Sequence, residues 1–241
     1  MTLSANHLEV WWTNAQAASA VLDEFASEIG LPAETDIERG SDASRWARII
    51  LRFGLARFGD QSLVCCPITR STRGRPELVG SDRPVFSISH SADHIAVAIA
   101  DAGPLGIDIE FHRPIKMSPA RQEGILRQVS NHGLAMPTDD KSAAAGNNFL
   151  SVWTKLESIA KARGDGIGAV LTELKADPSG KANMFAEIDG ALITVDHLPL
   201  LPQFAAALAK PRQSGEVEVR QLPSDLSGLR ELYDKRSRSG A

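Results

Sequence analysis

Apolar positions along the chain recur with two periods, two and about 3.6 residues, and the switches between them mark the elements. Leu8–Trp12 reads as a short strand. Asn14 is placed to cap a helix with Ala18, Val21, Leu22, Phe25 and Ile29 on one face, ended by Gly30 and Pro32. Ser41 and Asp42 can cap a second helix, in which Trp46, Ile49, Ile50 and Phe53 have helical spacing and which Gly59 closes. Arg70–Gly80, RSTRGRPELVG, reads as a basic loop punctuated by Gly and Pro. Pro84–Ser89 and Ile95–Ala100 read as strands joined by a turn at Ser91–Asp93. Ile95, Val97 and Ile99 alternate with alanines, as on a strand with one large-residue face. Gly103–Pro104 turns the chain into a third strand, Leu105–Glu110, and Arg113–Pro114 breaks the pattern.

The second half repeats this plan. A helix is expected within Met117–Val129 and a longer one from about Lys141 to Arg163, with Phe149, Val152, Trp153, Leu156 and Ala160 on one face. Strands are expected near Ala169–Leu174, Met184–Ile188, Leu192–Val195, Phe204–Leu208 and Glu216–Arg220. FSISHSADHIAVAIADAGPLGIDIE and LITVDHLPLLPQFAAALAKPRQSGEVEV share an order: a strand ending near a His, an alanine-rich strand, a Gly/Pro turn, a final alternating strand. The expected organisation is α+β, with similar halves at 1–112 and 113–235 and a polar, disordered tail at 236–241. One mixed α+β domain with repeated hairpins would give the same pattern.

Composition narrows the function. No apolar run approaches the ~18 residues of a membrane helix. The start, MTLSANHLEVWW, lacks a basic region followed by an apolar one, so the expected compartment is the cytoplasm and no membrane partner is expected. Cys65 and Cys66 are adjacent and are the whole cysteine complement, which excludes a disulfide framework and a Cys-rich zinc site. A net charge of -4 argues against a nucleic-acid binder but leaves room for an anionic ligand at a local basic cluster.

Four constellations could carry chemistry. In Gly106-Ile107-Asp108-Ile109-Glu110, strand alternation puts Asp108 and Glu110 on one face. Their repulsion would become binding around a hard divalent cation such as magnesium; an exposed edge strand with two solvated acids fits the same residues. In Trp153-Thr154-Lys155-Leu156-Glu157-Ser158-Ile159-Ala160-Lys161, Glu157 and Lys161 share a helix face, either as a site or as a surface ion pair. Trp153 is read as core packing. In Phe86-Ser87-Ile88-Ser89-His90-Ser91, polar residues cluster at a strand end, suiting a phosphate or a ribose, or simply a Ser-rich turn. Gly74-Arg75-Pro76, with Arg70 and Arg73 nearby, suits phosphate recognition or is a solvated basic loop.

Their order and spacing resemble the 4'-phosphopantetheinyl transferases of the larger, surfactin-synthetase-activating (Sfp-like) type, over roughly Arg39 to Gly166. The resemblance implies a pseudodimer of two α+β halves. It implies Mg2+-dependent transfer of 4'-phosphopantetheine from coenzyme A to a serine of an apo acyl or peptidyl carrier protein, with release of adenosine 3',5'-bisphosphate. By matching position, Asp108, Glu110 and Glu157 are then the metal carboxylates, Glu157 also the general base, and Lys161 the catalytic and pyrophosphate-contacting lysine. Ser89 and His90 match the residues at the CoA phosphates, Arg75 the one at the 3'-phosphate, and Arg39 a further CoA contact. Gly164 and Gly166 match the glycine-punctuated end of the signature helix. A monomer is expected.

Two positions depart from the family pattern. Leu156 stands where the family has lysine just before the glutamate, and Lys155 is one step away on a different helix face. Ser87 stands where the family often has Asn. The rival readings are a non-catalytic member of the same fold that binds carrier protein or CoA, and an unrelated metal-dependent phosphohydrolase using Asp108 and Glu110. Within His112–Gln128, Arg113, Lys116, Arg121 and Arg127 outnumber Glu123, among apolar Ile115, Met117, Ile125 and Leu126. That segment is either a docking face for an acidic carrier or an amphipathic helix packed on the core.

Overall fold

The computed structural model describes residues 7–31, 42–57, 61–72, 74–81, 83–134, 145–177, 179, 185 and 187–234. In chain order its first elements are β1 (Leu8–Asn14), α1 (Ala15–Glu28), α2 (Asp42–Arg57), α3 (Gln61–Val64), β2 (Ile68–Arg70), β3 (Pro76–Leu78), β4 (Val85–Ser91) and β5 (His94–Ala100). There follow β6 (Gly106–Phe111), α4 (Pro119–Asn131), α5 (Ala145–Arg163), α6 (Gly166–Ala176), β7 (Glu187–Ile188), β8 (Ala191–His197), β9 (Phe204–Pro211), β10 (Glu218–Gln221) and α7 (Leu226–Asp234). The chain is α+β and divides into two compact units. One comprises Met1–Ser71, Pro76–Ala102 and Gly215–Ala241; the other comprises Thr72–Arg75 and Gly103–Ser214.

The first unit is built on a sheet of order β10-β1-β5-β4, with β10 parallel to β1 and the other pairs antiparallel. Asn14 ends β1 and starts α1: its side-chain oxygen accepts from Ala17 N at 3.0 Å, satisfying a helix-end donor. Ile95, Val97 and Ile99 of β5 point to one face, where they join Trp11, Phe25, Phe53 and Phe86 in the core. The rings of Trp11 and Phe53 meet edge to face at 5.3 Å.

The second unit carries a sheet of order β6-β9-β8-β7, antiparallel throughout. Phe149, Val152, Leu156, Ile159 and Ala160 of α5 form its core with Val170, Leu174, Ile193 and Ala209. Trp153 is half-buried and stacked on Phe149 at 5.8 Å, a packing role.

Several regions differ from the sequence expectation, among them α3 and β2, both too short to leave a periodic signature. Ala169–Leu174 is not a strand but part of α6. Its apolar run fits either element, and the core decides: Val170 and Leu174, four apart, are both fully buried on one helix face. Gly164 and Gly166, at φ 75° and 77°, let one helix end and the next begin. Within Arg70–Gly80, Pro76–Leu78 is a strand that pairs antiparallel with β2, Ile68 opposite Leu78. Three-residue strands are too short to leave a period-two signature. α7 had no counterpart in the expectation, although Leu229 is fully buried and Asp225 Oδ1 accepts from Gly228 N at 2.8 Å as a helix cap. Gly59, Arg73, Lys141, Met184 and the 236–241 tail lie outside the described residues.

Candidate active site

Strand alternation does in β6 what the sequence pattern requires. Ile107 and Ile109 are buried on one face, while Gly106, Asp108 and Glu110 share the other. Across the ladder these three face Ala209, Ala207 and Ala205 of β9, so the same face is lined with small side chains. The last turns of α5 pack against β6 and β9, with Leu156, Ile159 and Ala160 buried. Glu157 and Lys161, at i and i+4, are thereby carried to the edge strand.

Lys161 does not behave as a surface partner of Glu157. Its Nζ donates to the Ile107 carbonyl oxygen at 3.0 Å and to Asp108 Oδ1 at 2.8 Å. Asp108 is only 6% exposed, so this ion pair is shielded from water on one side. Nothing in the spacing of residues so far apart in sequence points to it. Glu110 is paired with Arg113, Nη2 to Oε2 at 3.4 Å. Glu157 feels three of these charges. Burial, and then the Asp108 carboxylate, push its carboxyl up to about 7; Glu110 adds to the rise and Lys161 opposes it.

Arg75 belongs to the same unit. Its Nη1 donates to the Ala162 carbonyl oxygen at 3.2 Å, in the last turn of α5, beside Gly164. Leu156, where the resemblance expects a lysine, is fully buried in the core. Lys155 is also buried, and desolvation pulls its ammonium pKa down while Asp196 opposes the fall. His197 is lowered by burial and by Lys155.

The serine and histidine of β4 belong to the first unit. Ser89 pairs with Ala96 and is buried with Ser87 and Ser91 on one face; His90 pairs with Ile95 and is exposed on the other. Arg39 lies outside the described residues. On α4 and the segment before it, Arg113, Lys116, Arg121 and Arg127 are exposed while Ile125 is buried. Ile115, Met117 and Leu126 pack on the second core, so the apolar side faces inward and the basic side outward.

Among the described residues, no group of three or more His, Cys, Asp or Glu side chains is arranged to hold a metal ion. Asp108 and Glu110 are engaged by Lys161 and Arg113. In ligand type and charge the three carboxylates still suit a hard divalent cation, because all donors are oxygen and burial together with Asp108 and Glu110 disfavours an uncompensated charge on Glu157. No described helix is long and apolar enough to cross a membrane.

No family model matches the chain. A search of curated proteins finds 26% identity over 134 residues to the 4'-phosphopantetheinyl transferase AcpT of Salmonella typhi, covering 54% of this chain and 68% of that protein. The 4'-phosphopantetheinyl transferase psf-1 of Bacillus pumilus is 30% identical over 165 residues, covering 64% of this chain and 68% of that protein. With that identity over two thirds of a relative's length, and the motif residues in order, the chain belongs to the 4'-phosphopantetheinyl transferases.

Proposed function

We propose that the protein transfers 4'-phosphopantetheine from coenzyme A to the serine of an apo acyl or peptidyl carrier protein, and that it is of the larger Sfp-like, pseudodimeric type. The serine oxygen forms a bond to the phosphorus of the pantetheine arm. The bond from that phosphorus to the bridging pyrophosphate oxygen breaks, and the oxygen leaves on adenosine 3',5'-bisphosphate. The observation that carries this reading is the meeting of Lys161, Asp108 and Glu157 at the seam of β6 and α5.

Glu157 takes the serine proton, directly or through a water, from its place beside Lys161 and Asp108 at the end of the seam. Lys161, fixed by Ile107 and Asp108, meets the charge that develops on the leaving phosphate. Asp108, Glu110 and Glu157 would hold Mg2+, which when bound offsets the pyrophosphate charge against the incoming nucleophile. Arg75 binds the 3'-phosphate, and Ser89, His90 and Arg39 contribute to the CoA site. The outward basic side of residues 113–127 docks the acidic carrier, which electrostatic steering favours. A cytoplasmic monomer without nucleic-acid or membrane partners completes the reading.

The test is product analysis. With CoA, Mg2+ and an apo-carrier, chromatography should show adenosine 3',5'-bisphosphate accumulating only while carrier remains. A non-catalytic binder would release none. A phosphohydrolase would consume CoA with no carrier present. Either result would overturn the reading.

A further inference from the structure

We propose that Gly106 is a positioning residue for the reaction: its missing side chain lets the α5 backbone rest directly on β6, and this contact sets Glu157 and Lys161 against Asp108. The proposal rests on the reading of Asp108, Glu110 and Glu157 as the Mg2+ carboxylates.

Gly106 is buried, and its φ lies outside the left-handed region, so backbone freedom does not explain it. Space does. A Cβ there would fall on the Ser158 carbonyl oxygen and lie 2.6 Å from Ala162 N. Those two atoms are the acceptor and donor of one helical turn of α5. They are backbone and cannot rotate aside. Helix and strand would have to separate by on the order of 1 Å to restore van der Waals distance. Ser158 follows Glu157 and Ala162 follows Lys161, while Gly106 precedes Asp108 by two residues on the same strand face. The contact is therefore a pivot shared by every charged group of the seam. The carbonyl of the same Ala162 accepts from Arg75.

The first unit supplies the control. Gly54 of α2 also sits at a helix–sheet contact, but a Cβ there would meet the Ile99 Cδ1 side-chain tip, with Trp11 Cδ1 at 3.5 Å. That neighbour is the far end of a side chain and can turn, and Gly54 belongs to the other unit from Asp108, Glu157 and Lys161. Gly54→Ala should disturb packing without reaching the site.

The experiment measures binding of Mn2+ in the presence of CoA by electron paramagnetic resonance, beside thermal melting and transfer kinetics, for the parent, Gly106→Ala, Gly54→Ala and Asp108→Asn. Gly106→Ala should weaken Mn2+ about tenfold or more and lower kcat by roughly 100-fold. Gly54→Ala should lower the melting temperature and leave Mn2+ affinity unchanged. A Gly106→Ala protein with lower melting temperature but parental Mn2+ affinity and kcat would overturn the proposal, because the role would be structural only. Parental Mn2+ binding and turnover in Asp108→Asn would overturn the carboxylate reading itself, and the proposal with it. Should Gly106→Ala not refold, Ala209→Ser, its register partner in the same core, provides the measurement. Weakened Mn2+ supports the proposal, and unchanged affinity in that variant overturns it.

Discussion

In the first unit, α2 lies against β5 and faces its large side chains, Ile95, Val97 and Ile99. In the second, α5 lies against β6 and β9 and faces small ones, Gly106, Ala205, Ala207 and Ala209. Both central strands are alanine-rich, but they present opposite sides to their helix. Under α2 the large residues fill the seam with apolar contacts to Trp11, Phe25 and Phe53. Under α5 the small residues let the helix come close, and the seam ends in a half-buried ion pair and a carboxyl held near 7. The same arrangement of helix on sheet thus gives an apolar core in one place and a charged seam in the other. What separates them is which face of an alternating strand is turned to the helix.

Breaking the apolar seam should cost stability and spare the chemistry. Phe53 contacts Trp11, Phe25 and Tyr233, so Phe53→Ala should lower unfolding free energy by about 3–5 kcal/mol. Denaturant titration reads that loss, and kcat of the fraction still folded at low temperature should match the parent. Leu156→Lys asks whether the charged seam tolerates another charge at its apolar base. Leu156 is fully buried, so the change should destabilise by about 3–5 kcal/mol rather than raise turnover. A variant that melts with the parent and works faster would place position 156 at the site.

Breaking the charged seam should do the reverse. Asp108→Ala should reduce kcat roughly 100- to 1,000-fold with little change in circular dichroism, because Lys161 and the cation lose one partner. Arg75→Ala should weaken CoA by roughly 10- to 150-fold and 3'-dephospho-CoA far less. Equal losses in binding titrations would show that Arg75 acts only through its bond to Ala162. The smallest effect concerns pH. A carboxyl raised from 4.5 to about 7 penalises the folded state once the unfolded group ionises. In chelator, the parent should therefore lose stability relative to Glu157→Gln as pH rises from about 4.5 to 7, with a constant gap above. Urea melts from pH 5 to 8 check this, and a gap that does not depend on pH would contradict it.

Much of this was legible in the sequence, for physical reasons that also mark where legibility ends. The Asn14 cap, the alternation of β5 and the shared face of Asp108 and Glu110 follow from local periodicity, and the structure has all three. The helix face with Leu156 and Ala160 is equally local. The α6 run defeated the same logic, because Val170 and Leu174 fit either period until a core exists for them to enter. The Lys161–Asp108 bond and the Gly106–Ser158 contact are long-range and leave no trace in spacing. A glycine before a D-x-E strand is unremarkable until a helix backbone is found against it.

The central claim is that the charged seam performs transfer to a carrier. Its most direct test is the intact mass of an apo acyl or peptidyl carrier protein after incubation with this protein, CoA and Mg2+, over a panel of carriers. The account predicts that at least one carrier gains one phosphopantetheine mass, and that within the time the parent needs for full conversion chelator or Asp108→Ala leaves the carrier almost unmodified. No gain on any carrier, or an undiminished gain with Asp108→Ala, would contradict it.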